Sequence, residues 1–184
     1  MMIVDQGLSA RRLQERLDRT TDARHRRMLE VVLEHLRAEV DADVDALLAT
    51  LVSEPDYHLW QNGSDYGPKG TDQVMGYYQE LVTAKRQVLE FDITRIVVDD
   101  DTIVTEGWIR AINLGAVARA RGYEVDDDDA SYLVTQRVVI FWPFNEQGQM
   151  LGEDGYANLD PLSARLLTDE ELPDAYRRLF AGAN

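Results

Sequence analysis

The sequence predicts an α+β fold in which helices come first and an antiparallel sheet follows. From Leu13 to Val82 apolar residues recur at intervals of three and four, the period of helices buried on one side. Beyond Val88 the pattern changes to runs of β-branched and aromatic residues joined by short turn-like segments, as in hairpins. A length of 184 residues without cysteine fits one domain whose core needs no disulfide.

Ser9 to Arg19 carries Leu13 and Leu17 four apart amid arginines and reads as a short amphipathic helix added to the domain, able to pack in trans. The next helix starts after Asp22, a capping residue, and places Leu29, Leu33, Leu36 and Val40 on one face. A further helix follows Asp43 or Asp45, holds Leu47, Leu48 and Leu51, and stops before Pro55. Tyr57 to Gln61 is the first strand, and the glycine-rich stretch Asn62 to Gly70 is a loop. Thr71 is the expected cap of a third core helix carrying Val74, Tyr77, Tyr78, Leu81 and Val82. Val88 to Val98, Thr102 to Leu114, Tyr132 to Phe144 and Gln149 to Asn158 are the remaining strands, with Gly115 to Ala130 a long polar connection. Thr168 and Glu171 have capping-box spacing before a last short helix.

Composition narrows the function classes. The net charge is -15, with 8 basic and 7 acidic groups in residues 1–40 against 11 and 27 in the rest. Such a surface repels phosphate backbones and anionic lipid, so neither nucleic acid nor membrane is an expected partner. No apolar run reaches the ~18 residues of a membrane span, and the first residues lack a signal-peptide core, so a cytoplasmic location is expected. Asp41, Asp43 and Asp45 lack the glycine and glutamate of a calcium loop, and Lys69 precedes Gly70 where a phosphate loop needs the reverse order. Asp126 to Asp129 read as a solvated loop, and the three histidines have no helical zinc spacing. No metal is expected.

Alternation along the strands groups residues by face. Glu106, Trp108 and Arg110 share a side, as do Tyr132, Gln136 and Trp142, as do Asp154, Tyr156 and Asn158, and as do His58 and Trp60. If these faces coincide, they enclose an aromatic cavity with few polar groups, the usual form of a small-molecule site. The alternatives are a filled core or a homodimer surface.

The order of elements, together with AEVDADVDALL (residues 38–48), Gly70 ahead of Tyr77 and Tyr78, Glu106-Gly107 on a strand, and EDGYAN (residues 153–158), resembles the nuclear-transport-factor-2-like superfamily and its SnoaL-like, polyketide-cyclase-like branch. The resemblance spans about residues 24–160. It implies a cone-shaped half-barrel, a curved antiparallel sheet wrapped around three helices, with the convex sheet face often used for a homodimer. The implied division is an N-terminal helical extension over residues 1–22, the cone domain over 23–160, and a C-terminal tail with a short helix over 161–184. Ketosteroid-isomerase-like members place a general-base aspartate where Gln61 stands, and an amide cannot take that proton. Cyclase-like members often carry a pocket acid on the last strand, where this sequence has Tyr156 and Asn158, with Asp154 one step further out.

The expected function is cofactor-independent proton transfer, of isomerase, cyclase or dehydratase type, on a largely apolar carbonyl- or hydroxyl-bearing compound. His58 or Glu106 is the expected proton-transfer group and Arg110 the counter-charge or oxyanion donor. Trp60, Gln61, Trp108, Tyr132, Gln136, Tyr156 and Asn158 are the expected substrate-binding residues. The competing expectation, favoured by Gln61 and Asn158, is a non-catalytic ligand-binding or dimerisation module.

Overall fold

The computed structural model describes residues 3–181. The chain runs α1 (Leu8–Asp18), α2 (Ala23–Asp41), α3 (Val44–Leu48), β1 (His58–Gln61), β2 (Ser64–Asp65), α4 (Gly70–Thr83), β3 (Leu89–Val98) and β4 (Thr102–Leu114). It continues with α5 (Gly115–Ala120), β5 (Ser131–Pro143), β6 (Asp154–Asn158), β7 (Arg165–Leu166) and α6 (Asp174–Arg178). The α+β arrangement is as expected. No helix among the described residues is long and apolar enough to cross a membrane.

Local chemistry sets the helix limits. The Asp22 carboxylate accepts from the His25 amide at 2.9 Å to start α2, and Asp43 does the same for Ala46 at 3.0 Å in α3. The expected cap at Thr71 is displaced. The helix begins at Gly70 behind Lys69, whose amide donates to Gln73 Oε1 at 3.1 Å, while the Thr71 hydroxyl donates to the Ser53 carbonyl.

The sheet has strand order β2-β1-β6-β5-β4-β3, with β7 added beside β5. It is mixed, which corrects the antiparallel expectation: β1 lies parallel to β6, with His58 opposite Asp154 and Gln61 opposite Ala157. The hairpins β3-β4 and β4-β5 are antiparallel over nearly their whole length. The expected strand at 149–158 is shorter than its sequence run, because Gln149 to Glu153 make only isolated bridges, Met150 to Leu51 and Phe144.

Near the middle of β3 the register shifts between Ile93 and Arg95, a bulge that bends the strand. Gly107 of β4 meets this bulge, and a Cβ there would stand 2.1 Å from the Asp92 carbonyl oxygen. Gly107→Ala is therefore expected to cost about 1–3 kcal/mol through backbone displacement, read from the urea midpoint.

One face of the sheet is covered by helices. Met28, Leu29, Val32 and Leu36 of α2 pack with Val74 and Tyr78 of α4 against Phe91, Ile93, Ile103, Val138, Ile140 and Trp142. Burial of each such side chain contributes roughly 1.5–3 kcal/mol. The same core holds Leu13 and Leu17, so α1 packs in cis against α2 and β3. Arg26 Nη1 fastens it there by donating to the Leu17 and Thr20 carbonyls at 2.8 and 3.0 Å. At the other end of the chain, the Thr168–Glu171 capping box opens a 3-10 turn, Asp169–Glu171, ahead of α6. Tyr176 of α6 and Leu167 bury against Ile112, Val88 and Val4, closing one end of the outer sheet face.

Candidate functional site

A cavity of about 200 Å3 lies between the helices and the inner sheet face. Its walls are mostly apolar, formed by Leu36 and Val40 of α2, Leu81 of α4, and Phe91, Ile109, Val138, Ile140 and Trp142 of the sheet. Among these stand Glu39, Glu153, Tyr77, Gln136, Gln61, Arg86 and Arg121. Such a setting, low in polarity with a few directed polar groups, is where titrating groups shift and ligands bind.

Glu39 lies on α2 four residues after His35, on the same side of the helix. It is half-buried and lines the cavity. Burial pushes its pKa from 4.5 up to about 7; the Glu153 charge adds to the rise, while His35 and Arg86 oppose it. Tyr77, half-buried, is pushed by desolvation up to about 12 and stays a neutral hydroxyl donor.

Glu153, just before β6, is held by a buried chain of polar groups. The Tyr78 hydroxyl donates to Glu153 Oε1 at 2.8 Å, and Tyr57 stands behind it with its hydroxyl 3.3 Å from that of Tyr78. His35, fully buried, brings Nε2 to 3.1 Å from the same Glu153 oxygen. Thr50 fixes the ring: its hydroxyl donates to the Leu47 carbonyl at 2.6 Å and therefore accepts from His35 Nδ1 at 2.7 Å. With Nδ1 committed as a donor, a proton between His35 Nε2 and Glu153 Oε1 can rest on either atom. The arrangement is a histidine-carboxylate dyad beside the cavity.

Gln136 of β5 belongs to the inner face, and its Nε2 is buried without a hydrogen-bond partner among the described residues. Such a donor costs stability unless a ligand or water meets it.

The structure distributes the residues singled out from the sequence unevenly. Gln61, Gln136, Trp60 and Tyr156 border the cavity. The Trp60 and Tyr156 rings, however, stack at 6.5 Å on the outer face, next to Phe141. Glu106, Trp108 and Arg110 also lie on the outer face and do not line the cavity, contrary to expectation. Glu106 is clamped between Arg95 (2.8 Å) and Arg137, Arg137 covers the Trp108 ring at 5.3 Å, and Arg110 pairs with Glu90. The Arg137 bond and the two guanidinium charges hold Glu106 below the usual carboxylate range, the opposite of what a base working near pH 7 needs.

His58 is likewise on the outer side, bound to Asp65 at 2.7 Å and stacked on Trp60. Asp65, bonded by the Gly67 amide and His58, is lowered to about 2. Asn158 is exposed beside Arg137 in a shallow outer depression. Tyr132 points inward but serves a loop: its hydroxyl accepts from the Asp126 and Asp127 amides at 3.3 and 3.1 Å.

That loop was expected to be a long polar connection, and Asp126 to Asp129 are exposed in it. It also contains a helix, since Gly115 to Ala120 forms α5, and residues 127–128 fold back so closely that a Cβ on Gly115 would stand 1.8 Å from the Asp127 carbonyl oxygen. Arg119 pairs with Asp128 at 2.8 Å, and the packed segment carries Arg121 to the cavity wall. Sequence reasoning singled out none of Glu39, Glu153, His35, Tyr78, Arg86 and Arg121 as site residues. One signal was present, namely His35 and Glu39 interrupting the apolar stripe of α2.

No protein-family model and no curated protein matches the sequence. Solved structures do. A candidate SnoaL-like polyketide cyclase from Shewanella putrefaciens CN-32 superposes with a TM-score of 0.60 at 9% identity, covering 82% of this chain and 87% of that one. A second, from Shewanella denitrificans OS-217, gives 0.58 at 11% identity over 71% of this chain and 89% of its own. The epoxide hydrolase/cyclase-like enzyme SalBIII, of pyran ring formation in the polyether salinomycin, gives 0.53 at 13% over 76% and 95%.

Proposed function

For this chain, which has the nuclear-transport-factor-2-like fold in its SnoaL-like form, we propose cofactor-independent proton transfer on a small, largely apolar compound bearing a carbonyl or hydroxyl group. The observation that carries this reading is Glu39, a carboxyl with a pKa of about 7 facing an apolar cavity. A group balanced near neutrality can both take and return a proton, which contributes about 10²–10⁴-fold to such reactions.

Glu39 takes a proton from a carbon next to the ligand carbonyl. The Glu153-His35 dyad gives one elsewhere on the molecule or to a departing hydroxyl, which leaves as water, and Glu39 then passes its extra proton to the dyad through solvent, so that protons balance and no electrons are gained or lost. Gln136 Nε2 and the Tyr77 hydroxyl donate to the ligand oxygen on which negative charge develops. The cavity is below the roughly 300–1,000 Å3 of drug-sized sites, which favours a small ligand. The neighbouring cyclase and epoxide hydrolase/cyclase names fit this chemistry.

The test is deuterium uptake from heavy water into a series of small enones, β-hydroxy ketones and epoxides, followed by proton NMR. Uptake or turnover that disappears in Glu39→Gln supports the reading. Ligands that bind the cavity with no exchange in any of them would instead indicate a binding module.

The homodimer belongs to the same proposal. Trp60, Trp108, Phe141, Tyr156 and Val97 are exposed together on the outer sheet face, an apolar and aromatic composition suited to the core of an interface. Trp108→Glu is expected to shift the sedimenting species from dimer to monomer at micromolar concentration. An unchanged sedimentation coefficient, or a wild-type monomer, counts against it.

A further inference from the structure

The guanidinium groups on the cavity wall have a feature that proton transfer does not require. Arg121 makes no hydrogen bond or ion pair through its side chain with any described residue, and lies only over the Tyr123 ring at 5.9 Å. Arg86 donates from Nη1 to Glu80 at 2.8 Å, yet its Nε is buried without a partner. The Tyr123 hydroxyl is also buried without a partner.

The local charge does not balance within the chain. Glu80 is bound to Arg86 at 2.8 Å, and among the described residues no carboxylate forms an ion pair with Arg121. Burial, then the neighbouring Arg86 charge, lowers the pKa of Arg121. Arg121 is half-buried, and none of the chain's 34 acidic side chains forms an ion pair with it, which leaves a partly desolvated cation without a contacting counter-charge. Arg86 acts on both Glu39 and Arg121, and all three line the same cavity.

We propose that the cavity takes a small apolar carboxylate, its anionic group seated against Arg121 and the free Nε edge of Arg86, with its carbon skeleton along Phe91, Ile109 and Trp142. A carboxylate matches the planar donor fork of arginine. This names the substrate class for the site proposed above and rests on that reading for its chemistry, though not for its binding. Apolar walls select the hydrocarbon portion, and the exposed acidic surface plays no part in recognition.

The experiment is calorimetric titration of the full chain with matched acids and primary amides: cinnamate and cinnamamide, and straight-chain acids from butyrate to decanoate with their amides. The expected result is at least tenfold tighter binding of the best acid than of its amide. In Arg121→Met that preference falls to twofold or less, with amide affinity little changed, and in Arg121→Lys it is partly retained. Thermal melting of the same variants gives a second readout. Removing a half-buried charge that has no ion-pair partner is expected to leave the free protein as stable as the wild type or more so, whereas a structural arginine would be missed.

Equal affinity for acids and amides, no binding across the whole series, or an Arg121→Met variant that melts lower and keeps its acid preference would each overturn the proposal. Acid binding that persists in Glu39→Gln while exchange is lost supports both assignments. Acid selectivity without any exchange in the wild type supports the anion site and removes the catalytic reading alone.

Discussion

Glu39→Gln is expected to reduce turnover by about 10²–10⁴-fold while stabilising the protein above neutral pH. In the folded chain the Glu39 carboxyl holds its proton up to about pH 7, whereas its ordinary value is 4.5. Between those values the folded state binds a proton that the unfolded state releases. The stabilising contribution is therefore complete below about pH 4.5 and is lost as pH rises through 7. Above that, the wild type must hold a desolvated carboxylate at a cost of up to roughly 3 kcal/mol, partly relieved by His35 and Arg86.

The neutral amide of the variant has no such pH dependence. The difference in unfolding free energy between the two proteins should be small at pH 4.5, favour the variant progressively, and level off by pH 8. Urea denaturation at several pH values measures it. The rate should show the complementary profile, with kcat/KM in the wild type rising through an inflection near pH 7 that the variant lacks. A constant stability difference across this range would place the Glu39 carboxyl in water and remove the basis of the proposed chemistry.

Much of the fold was legible because its signals are local. The β4 limits read from β-branched periodicity coincide with those observed, and β5 differs by one residue at each end. Asp22 caps α2 as expected because its side chain needs only the next turn's amide. The parallel β1-β6 pairing is different in kind. Its partners are 96 residues apart, with no turn between them to signal a direction.

The site was lost at one step, the choice of inward face. Alternation places Glu106, Trp108 and Arg110 together but leaves open which side receives the helices, and one residue of register exchanges the two faces. Small residues decide it. Gly107 and Ala111 lie on the inner face, where the bent sheet and cavity leave little room, while the larger charged residues form ion pairs outside. A glutamate beside a tryptophan looked like a site, and the arginines that neutralise it came from two neighbouring strands, Arg95 on β3 and Arg137 on β5. The helix held the more useful signal. His35 and Glu39 lie on a stripe otherwise occupied by Val32, Leu36 and Val40, and polar groups on a buried stripe need partners or a function.

Truncating Glu153 is expected to have the largest effect on stability. Glu153 Oε1 accepts from the Tyr78 hydroxyl and shares a hydrogen bond with His35 Nε2, and His35 has no exposed surface. In Glu153→Ala a buried imidazole and a buried hydroxyl lose their common partner at once. Removing one partner of a buried hydrogen-bonded pair in this way costs about 3–5 kcal/mol, more than the net worth of the bonds themselves, because the desolvated partners remain. Glu153→Gln keeps one acceptor oxygen and should cost less, about 1–3 kcal/mol, since the amide can serve Tyr78 or His35 but not both in their present geometry. Tyr78→Phe removes a single bond and should cost about 0.5–1.5 kcal/mol.

The order Ala, then Gln, then Tyr78→Phe follows from how many buried groups each change leaves unsatisfied, and urea midpoints at pH 7 rank them. A double-mutant cycle between Glu153→Ala and His35→Ala adds a sharper criterion. If the dyad acts as a unit, the second substitution costs much less once the first is made. Strict additivity would mean that the proton is not shared, and Glu153 could not then serve as the second proton-transfer group.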